Sequence, residues 1–271
     1  MVRQERTENA VLASSTTGGP APRARRTRQQ LQSLLVEEGV ALLLERGLEG
    51  GAAHITLNEV LERVEHRRGE RVTRASVYSR IWDSQSEFQQ DLLLGAASTF
   101  PSGETEPTRV AALHAIAAAD TSTPAARAAA LREVCRVAGD AHVGELGQSR
   151  AWQIWVGVWA LTVSTPDDKD DLVLGPAIEV GHHRAVEALQ KVLVEIIGLL
   201  RYQVRAPFQI EHFTMSVAAL AEGLALRDRF GPAVSVVDDD VSFAASDQTR
   251  TRSLFSVGFD GLALHFLEPA D

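Results

Sequence analysis

The sequence has 271 residues, 45% of them hydrophobic and 23% charged, with a formal net charge of −9. These are ordinary globular proportions, and they exclude wholesale disorder and a collagen-like repeat. The single cysteine, Cys135, excludes an intrachain disulfide, a CxxC redox pair and a thiolate zinc cage.

The charge is unevenly placed. Residues 1–82 hold 13 Arg against 10 Glu, net +3, and residues 83–271 carry net −12. A basic first part and an acidic second part point to two regions with different partners, with accidental asymmetry as the alternative. Only Lys169 and Lys191 are lysines, which fits GC-rich coding and carries no functional weight. No apolar run reaches the roughly 18 residues of a membrane helix. The opening segment lacks a signal-peptide core, so a cytoplasmic protein without membrane association is expected.

Residues 1–22 read as a disordered arm with turn-forming SSTTGGPAP. From Thr27 the pattern becomes helical. Leu31, Leu34, Leu35, Ala41 and Leu42 share one face, Thr27 can cap the start, and Gly47 follows as a stop. Thr56 with Glu59 three residues on forms a capping box, and Leu57, Val60, Leu61 and Val64 give a short amphipathic helix. Thr73 caps a third helix with Val77 and Ile81 inward. Ser84 caps a fourth with Phe88, Leu92 and Leu93 inward.

Downstream segments also have helical length and period. They are an Ala-rich pair with Pro124 at a helix start, the run RAWQIWVGVWALTV, a long stretch over 176–203, and FQIEHFTMSVAALAEGLALRDRF. VSVVDDDVSFAASDQ is polar and carries no hairpin signal, and RTRSLFSVGFDGLALHFLE reads as a last helix. The expected fold is all-α. Its expected division is residues 23–95, three helices in helix-turn-helix geometry with a fourth following, and residues 104–271, a helical regulatory and dimerisation domain.

The third helix is slim and polar enough to enter a DNA major groove. Arg74, Ala75, Ser76, Ser79 and Arg80 suit that role: small residues allow close approach, and Arg bonds guanine edges or phosphate. Tyr78 offers a phenol for a phosphate oxygen. Thr56 begins a helix whose free amide groups can hold a phosphate. Residue types alone leave a solvated helix pair as the alternative.

ALLLERGL at 41–48, ITLNEVLERV at 55–64, VTRASVYSRI at 72–81 and SQSEFQQDLL at 84–93 resemble the DNA-binding domain of TetR-type transcriptional regulators. The order Thr56, Val60, Val72, Thr73, Ser76, Val77, Tyr78 and Ile81 carries the resemblance. It implies a ligand-responsive repressor acting as a homodimer on a double-stranded operator, with Thr56, Thr73, Arg74, Ala75, Ser76, Tyr78, Ser79 and Arg80 at the DNA. The sequence departs from the pattern in longer links at GLEGGAAHIT and HRRGERV, in an extra residue at Trp82-Asp83, and in Gln85 where a Lys is common. The inserted Arg67, Arg68 and Arg71 either add phosphate contacts or lie in a solvated loop.

In the acidic part, Trp152, Trp155 and Trp159 form one stripe, either core or the wall of a pocket for a small apolar or aromatic ligand. His114, His142 and Cys135 are candidate polar lining or structural residues. Phe213, Val217, Leu220 and Leu224 form a stripe, as do Phe255, Phe259, Leu262 and Phe266. These are either a four-helix dimer contact or intrachain packing. Glu179 and His182, with His183 and Glu187 nearby, are half of a carboxylate di-metal pattern, and no second Glu-x-x-His exists to complete it. With no HExxH, GxSxG, Walker loop or GxGxxG after a strand, neither an enzyme nor a cofactor is expected. The alternative from another class is a helical metal-dependent enzyme.

Overall fold

The computed structural model describes residues 26–48, 51–98, 105–164, 171–228, 236–239 and 250–270. The arm expected over 1–22 lies outside them, as does most of the polar stretch before residue 250. The described chain is mainly helical, as the periodicity predicts. Its helices are α1 (Arg28–Arg46), α2 (Leu57–Arg68), α3 (Arg74–Tyr78), α4 (Gln85–Ser98), α5 (Thr105–Ala118), α6 (Pro124–Gln148), α7 (Arg150–Ser164), α8 (Asp171–Leu199), α9 (Ile210–Asp228) and α10 (Leu254–Phe266). Among the described residues no helix is long and apolar enough to cross a membrane.

The caps fall where the sequence places them. Thr27 accepts from the Gln30 amide at 3.2 Å while the Gln30 side chain accepts from Thr27 N. Thr56 and Glu59 close the same reciprocal box at α2. Thr73 accepts from Ser76 N, and Thr123 caps α6 with Pro124 in its first position. Side-chain caps of this kind satisfy amide groups that a helix start leaves without carbonyl partners.

Among the described residues four short strands depart from the all-helical expectation. β1 (Tyr202–Val204) pairs antiparallel with β4 (Leu267–Pro269), and β2 (Val236–Asp239) with β3 (Arg250–Ser253). The segment RTRSLFSVGFDGLALHFLE is therefore strand, helix, strand: Ser253 ends β3 and caps α10 by accepting from Ser256 N at 3.0 Å. The ladders join residues ten or more positions apart in sequence, so no tight-turn signal marks them.

Two hydrophobic cores organise the chain. The first joins α1–α4 around Leu35, Leu43, Val60, Val64, Val77, Phe88 and Leu92. It also takes Ile154, Trp155 and Val158 from α7 and Ile178 from α8. The second joins α5, α6 and α10 with the later parts of α8 and α9, and includes Trp152. A Cβ at Gly157 would stand 2.6 Å from Leu48 Cδ2, so a side chain there would make the end of Leu48 shift, and glycine lets the two elements meet without that adjustment. Arg150 Nη1 fixes the same approach by donating to the Glu45 carbonyl at 3.0 Å.

The two aromatic stripes that could have served dimerisation are spent inside one chain. Phe213, Val217, Phe255, Phe259 and Phe266 are all buried in the second core. The Phe213 ring lies 6.2 Å from Phe259 and 5.6 Å from Phe266, and Phe255 lies 5.8 Å from Phe259. These five residues hold α9 to α10 within the chain, and Leu220, Leu224 and Leu262 of the same stripes are half-buried. Phe259→Ala is accordingly expected to cost about 3–5 kcal/mol, read from denaturant unfolding, because it leaves a cavity between packed rings. The oligomeric state at low denaturant is expected to stay as in the unmodified chain.

Candidate nucleic-acid interface

The N-terminal helices are set against one another by a carboxylate network. Glu38 on α1 is buried, 4% exposed, yet charged partners surround it. Arg63 Nε reaches it at 3.1 Å, Arg68 Nε at 3.0 Å and Arg67 Nη1 at 3.7 Å. Arg63 also makes a two-pronged contact with Glu45, at 2.6 and 2.8 Å, and this holds the Arg63 proton above its ordinary range and the Glu45 carboxyl below its own. Bidentate guanidinium pairs add direction as well as attraction. They fix α2 on α1, and α3 follows.

Arg67 and Arg68 belong to the last turn of α2 and not to a link. Arg68 also reaches Glu37 at 3.3 Å. The placing of both in the link between helices two and three therefore does not hold, and both guanidiniums meet carboxylates. Gly69, left-handed at φ 63, ends α2, and the chain reaches Thr73 in four residues.

α3 ends at Tyr78, shorter than the helix expected to carry Ile81, and Ser79, Arg80 and Ile81 form the turn that follows it; Val77 on the helix and Ile81 beyond its end are both buried. Thr73, Arg74, Ala75, Ser79 and Arg80 are exposed, and Ser76 and Tyr78 are half-buried. Two hydroxyls serve the backbone: Ser76 Oγ donates to the Thr73 carbonyl at 2.7 Å, and Ser79 Oγ to the Ser76 carbonyl at 3.3 Å. The Tyr78 hydroxyl is not offered outward. It is buried and has no hydrogen-bond partner among the described residues, while its ring packs on the first core. Arg74 lies over that ring, 5.1 Å from its centroid. Tyr78 thus positions a guanidinium by cation–π attraction instead of presenting a phenol.

Among the N-terminal arginines the ion pairs make a clear division. Arg26, Arg46, Arg63, Arg67 and Arg68 all meet carboxylates. Arg71, Arg74 and Arg80 are exposed and form no ion pair among the described residues. All three lie on or beside α3. Arg28 joins them, among the described residues donating to the Ile81 carbonyl at 3.2 Å and meeting no carboxylate.

The start of α2 offers less to an anion than the sequence implies. Leu57 N donates to Gln85 Oε1 at 3.1 Å, Glu59 N to Thr56 Oγ1, and Thr56 N to Glu59 Oε2. These amides are occupied, and Glu59 places a negative charge beside them. The Thr56 hydroxyl and Arg46 hold the Glu59 carboxyl down at about 2. Gln85, where a Lys was expected by resemblance, bridges α4 to α2, its amide also donating to the Ile55 carbonyl at 3.0 Å. Trp82, read as an inserted residue, is a buried plug. Its ring meets Phe88 edge-on at 5.0 Å, and its Nε1 donates to Asp91 at 2.7 Å.

The three tryptophans of the stripe have different surroundings. Trp152 is buried in the second core, Trp155 in the first, and Trp159 is 43% exposed. Trp155 and Trp159 stack at 5.8 Å, and His182 stacks on Trp155 at 5.7 Å. His142 is buried beside Thr108 Oγ1 at 3.2 Å, and burial pushes its imidazole down to about 4. Burial also pushes the Cys135 thiol up, so it is a packed sulfhydryl and no nucleophile. His114 is exposed. The His182 ring is bound to Glu222, 3.1 Å away on α9, and Glu187 pairs with Lys191 at 2.9 Å. Among the described residues no three His, Cys, Asp or Glu gather to hold a metal ion.

A depressed carboxyl stabilises the fold above the ordinary carboxylate range and loses that contribution as pH falls toward its folded value. Glu59→Ala is expected to cost about 0.5–1 kcal/mol at pH 7. It is also expected to flatten the loss of stability between pH 4.5 and 2 in a denaturant series run against pH. No protein-family model matches the chain, and no curated protein or solved structure is significantly similar to it.

Proposed function

We propose that this chain is a sequence-specific DNA-binding transcriptional regulator of the TetR type, acting as a homodimer with α2 and α3 as its helix-turn-helix. The observation that carries the reading is the division of the arginines. Among the described residues five guanidiniums of this segment are bound to carboxylates, and Arg28, Arg71, Arg74 and Arg80, which form no ion pair there, lie about one short polar helix. Arg74, Ala75, Ser79 and Arg80, with Thr73 at the helix start, form the surface offered to a major groove. Arg71 and Arg28 flank it and serve the phosphate backbone. Tyr78 and Ser76 support this surface from behind, and Thr56 acts through the α2 cap that orients it.

A dimer needs a face other than the buried stripes. On α9, Met215, Ala219, Gly223 and Leu226 are exposed along one side, and on α10 so are Val257, Gly261 and Leu264. Both lines lie opposite the faces packed on α6. Small and apolar residues on two adjacent helices fit a self-complementary four-helix contact. Two copies would hold their α3 helices about one DNA turn apart, roughly 34–36 Å.

Control by a small apolar or aromatic ligand belongs to the same proposal. The exposed Trp159 ring, stacked on Trp155, is the aromatic surface for it. A ligand bound there meets α7, which packs on the first core, and acts as a repressor's inducer through its differential affinity for two arrangements.

In band-shift titrations, the purified chain is expected to retard DNA from its own upstream region, with affinity falling steeply as salt rises. Arg74→Ala is expected to weaken binding to the specific site by about 1–3 kcal/mol and to relax base preference, and Arg80→Ala to do so or to lower the salt slope by about one. Binding indifferent to both changes would overturn the assignment of α3. Light scattering is expected to give twice the chain mass. Met215→Glu with Leu264→Asp, both at exposed positions, is expected to give a folded monomer, whereas an intact dimer would place the interface elsewhere.

A further inference from the structure

Among the described residues a polar pair, His182 and Glu222, lies at the seam between the two cores. α8 contributes Ile178 to the first core and Leu189, Val192, Leu193, Ile196 and Ile197 to the second. His182 lies between these groups. Its Nε2 meets Glu222 Oε1 on α9 at 3.1 Å, with the two side chains 28% and 25% exposed. Its ring stacks nearly parallel, at 17°, on Trp155 of the first core. α8 and α9 run antiparallel, and their apolar contacts gather toward the connection after Leu199. His182 and Glu222 therefore fasten the end farther from it.

We propose that His182 and Glu222 form a protonation-controlled clasp at this seam, closed when the imidazole is charged and loosened when it is neutral. Acidity then sets how firmly the last turns of α9 are held to the α7–α8 seat of the N-terminal helices. A charged imidazolium makes a charge-assisted bond to the carboxylate and a cation–π contact with the indole, and a neutral ring keeps only a weaker hydrogen bond. The clasp does not depend on what the N-terminal helices bind.

The surroundings leave Glu222 as the charge that governs this ring. α7 carries only Arg150, which is bound to the Glu45 carbonyl. On α4, Asp91 is held by Gln32 and Trp82, and Glu87 accepts from Asp83 N. On α5, Arg109 pairs with Glu195 and Glu106. The β1 strand, Tyr202–Val204, bears no charge. On α9, Glu211 accepts from Gln190, and Arg227 and Asp228 lie beyond Glu222. On α8 itself Glu179, His183, Arg184 and Glu187 are exposed. The hydrogen bond to Glu222 raises the His182 proton affinity above the ordinary histidine value, against the burial that lowers it. A raised imidazole stabilises the fold fully below about 6.5 and loses that contribution as pH climbs through its folded value.

Three readouts test the clasp on the full chain. The His182 ring proton resonance, assigned by its absence in H182Q, is expected to titrate above 6.5 and to move down in E222Q. Trp155 emission is expected to fall on acidification at the same midpoint, since a stacked imidazolium quenches indole, and the step is expected to vanish in H182Q. Hydrogen exchange corrected for intrinsic rate is expected to show protection of amides 222–228 falling from pH 6 to 8, as follows when the closed clasp holds its proton more tightly than the opened one. The same amides in E222Q are expected to show no such fall. A His182 midpoint at or below 6.5, one unmoved by E222Q, or protection that does not change with pH would overturn the proposal. Should H182Q fail to fold, E222Q alone decides through the midpoint and the exchange.

Discussion

α7 cannot bury both of its sides within either half of the molecule. Trp152 needs the second core, and Ile154, Trp155 and Val158 need the first. An apolar helix with large side chains all round is stable only when packed on several sides. The rest of the arrangement follows from that demand. α4 and the first part of α8 close over α7, Gly157 admits Leu48, and Arg150 ties the helix start to α1. The two halves are thus joined by shared side chains, and a change at α7 is felt in both.

The charges divide along the same lines. Glu38 is buried and would be costly there without partners, since an uncompensated carboxylate in an apolar setting loses its hydration. Arg63 and Arg68 supply the compensation, and they give α2 one orientation on α1. The guanidiniums used in this way are lost to any ligand. Those near α3 are kept, and Tyr78, with its hydroxyl turned inward, holds Arg74 in place. The polar interior of the second core is quieter. His142 is kept neutral by burial beside Thr108, and Cys135 is shielded among apolar neighbours.

The sequence by itself determined the local elements. Thr27, Thr56, Thr73 and Thr123 cap helices where their spacing says they must, because a cap is a contact between residues three apart. Val77, Phe88 and Leu92 face inward because a helix repeats every 3.6 residues. The exposed set on α3 was legible for the same reason. What the sequence held open was every choice that depends on which faces meet. The stripes on α9 and α10 fit a partner's helix as well as each other, and only their packing decided it. The tryptophan stripe spans about two turns of one helix, yet its three rings meet two cores and solvent. Arg67 and Arg68 read as free cations until Glu38, some thirty residues earlier in the chain, was brought beside them. The β1–β4 ladder and the His182–Glu222 pair join residues 40 or more positions apart. Nothing local encodes such contacts, because they exist only once the hydrophobic surfaces have chosen their partners.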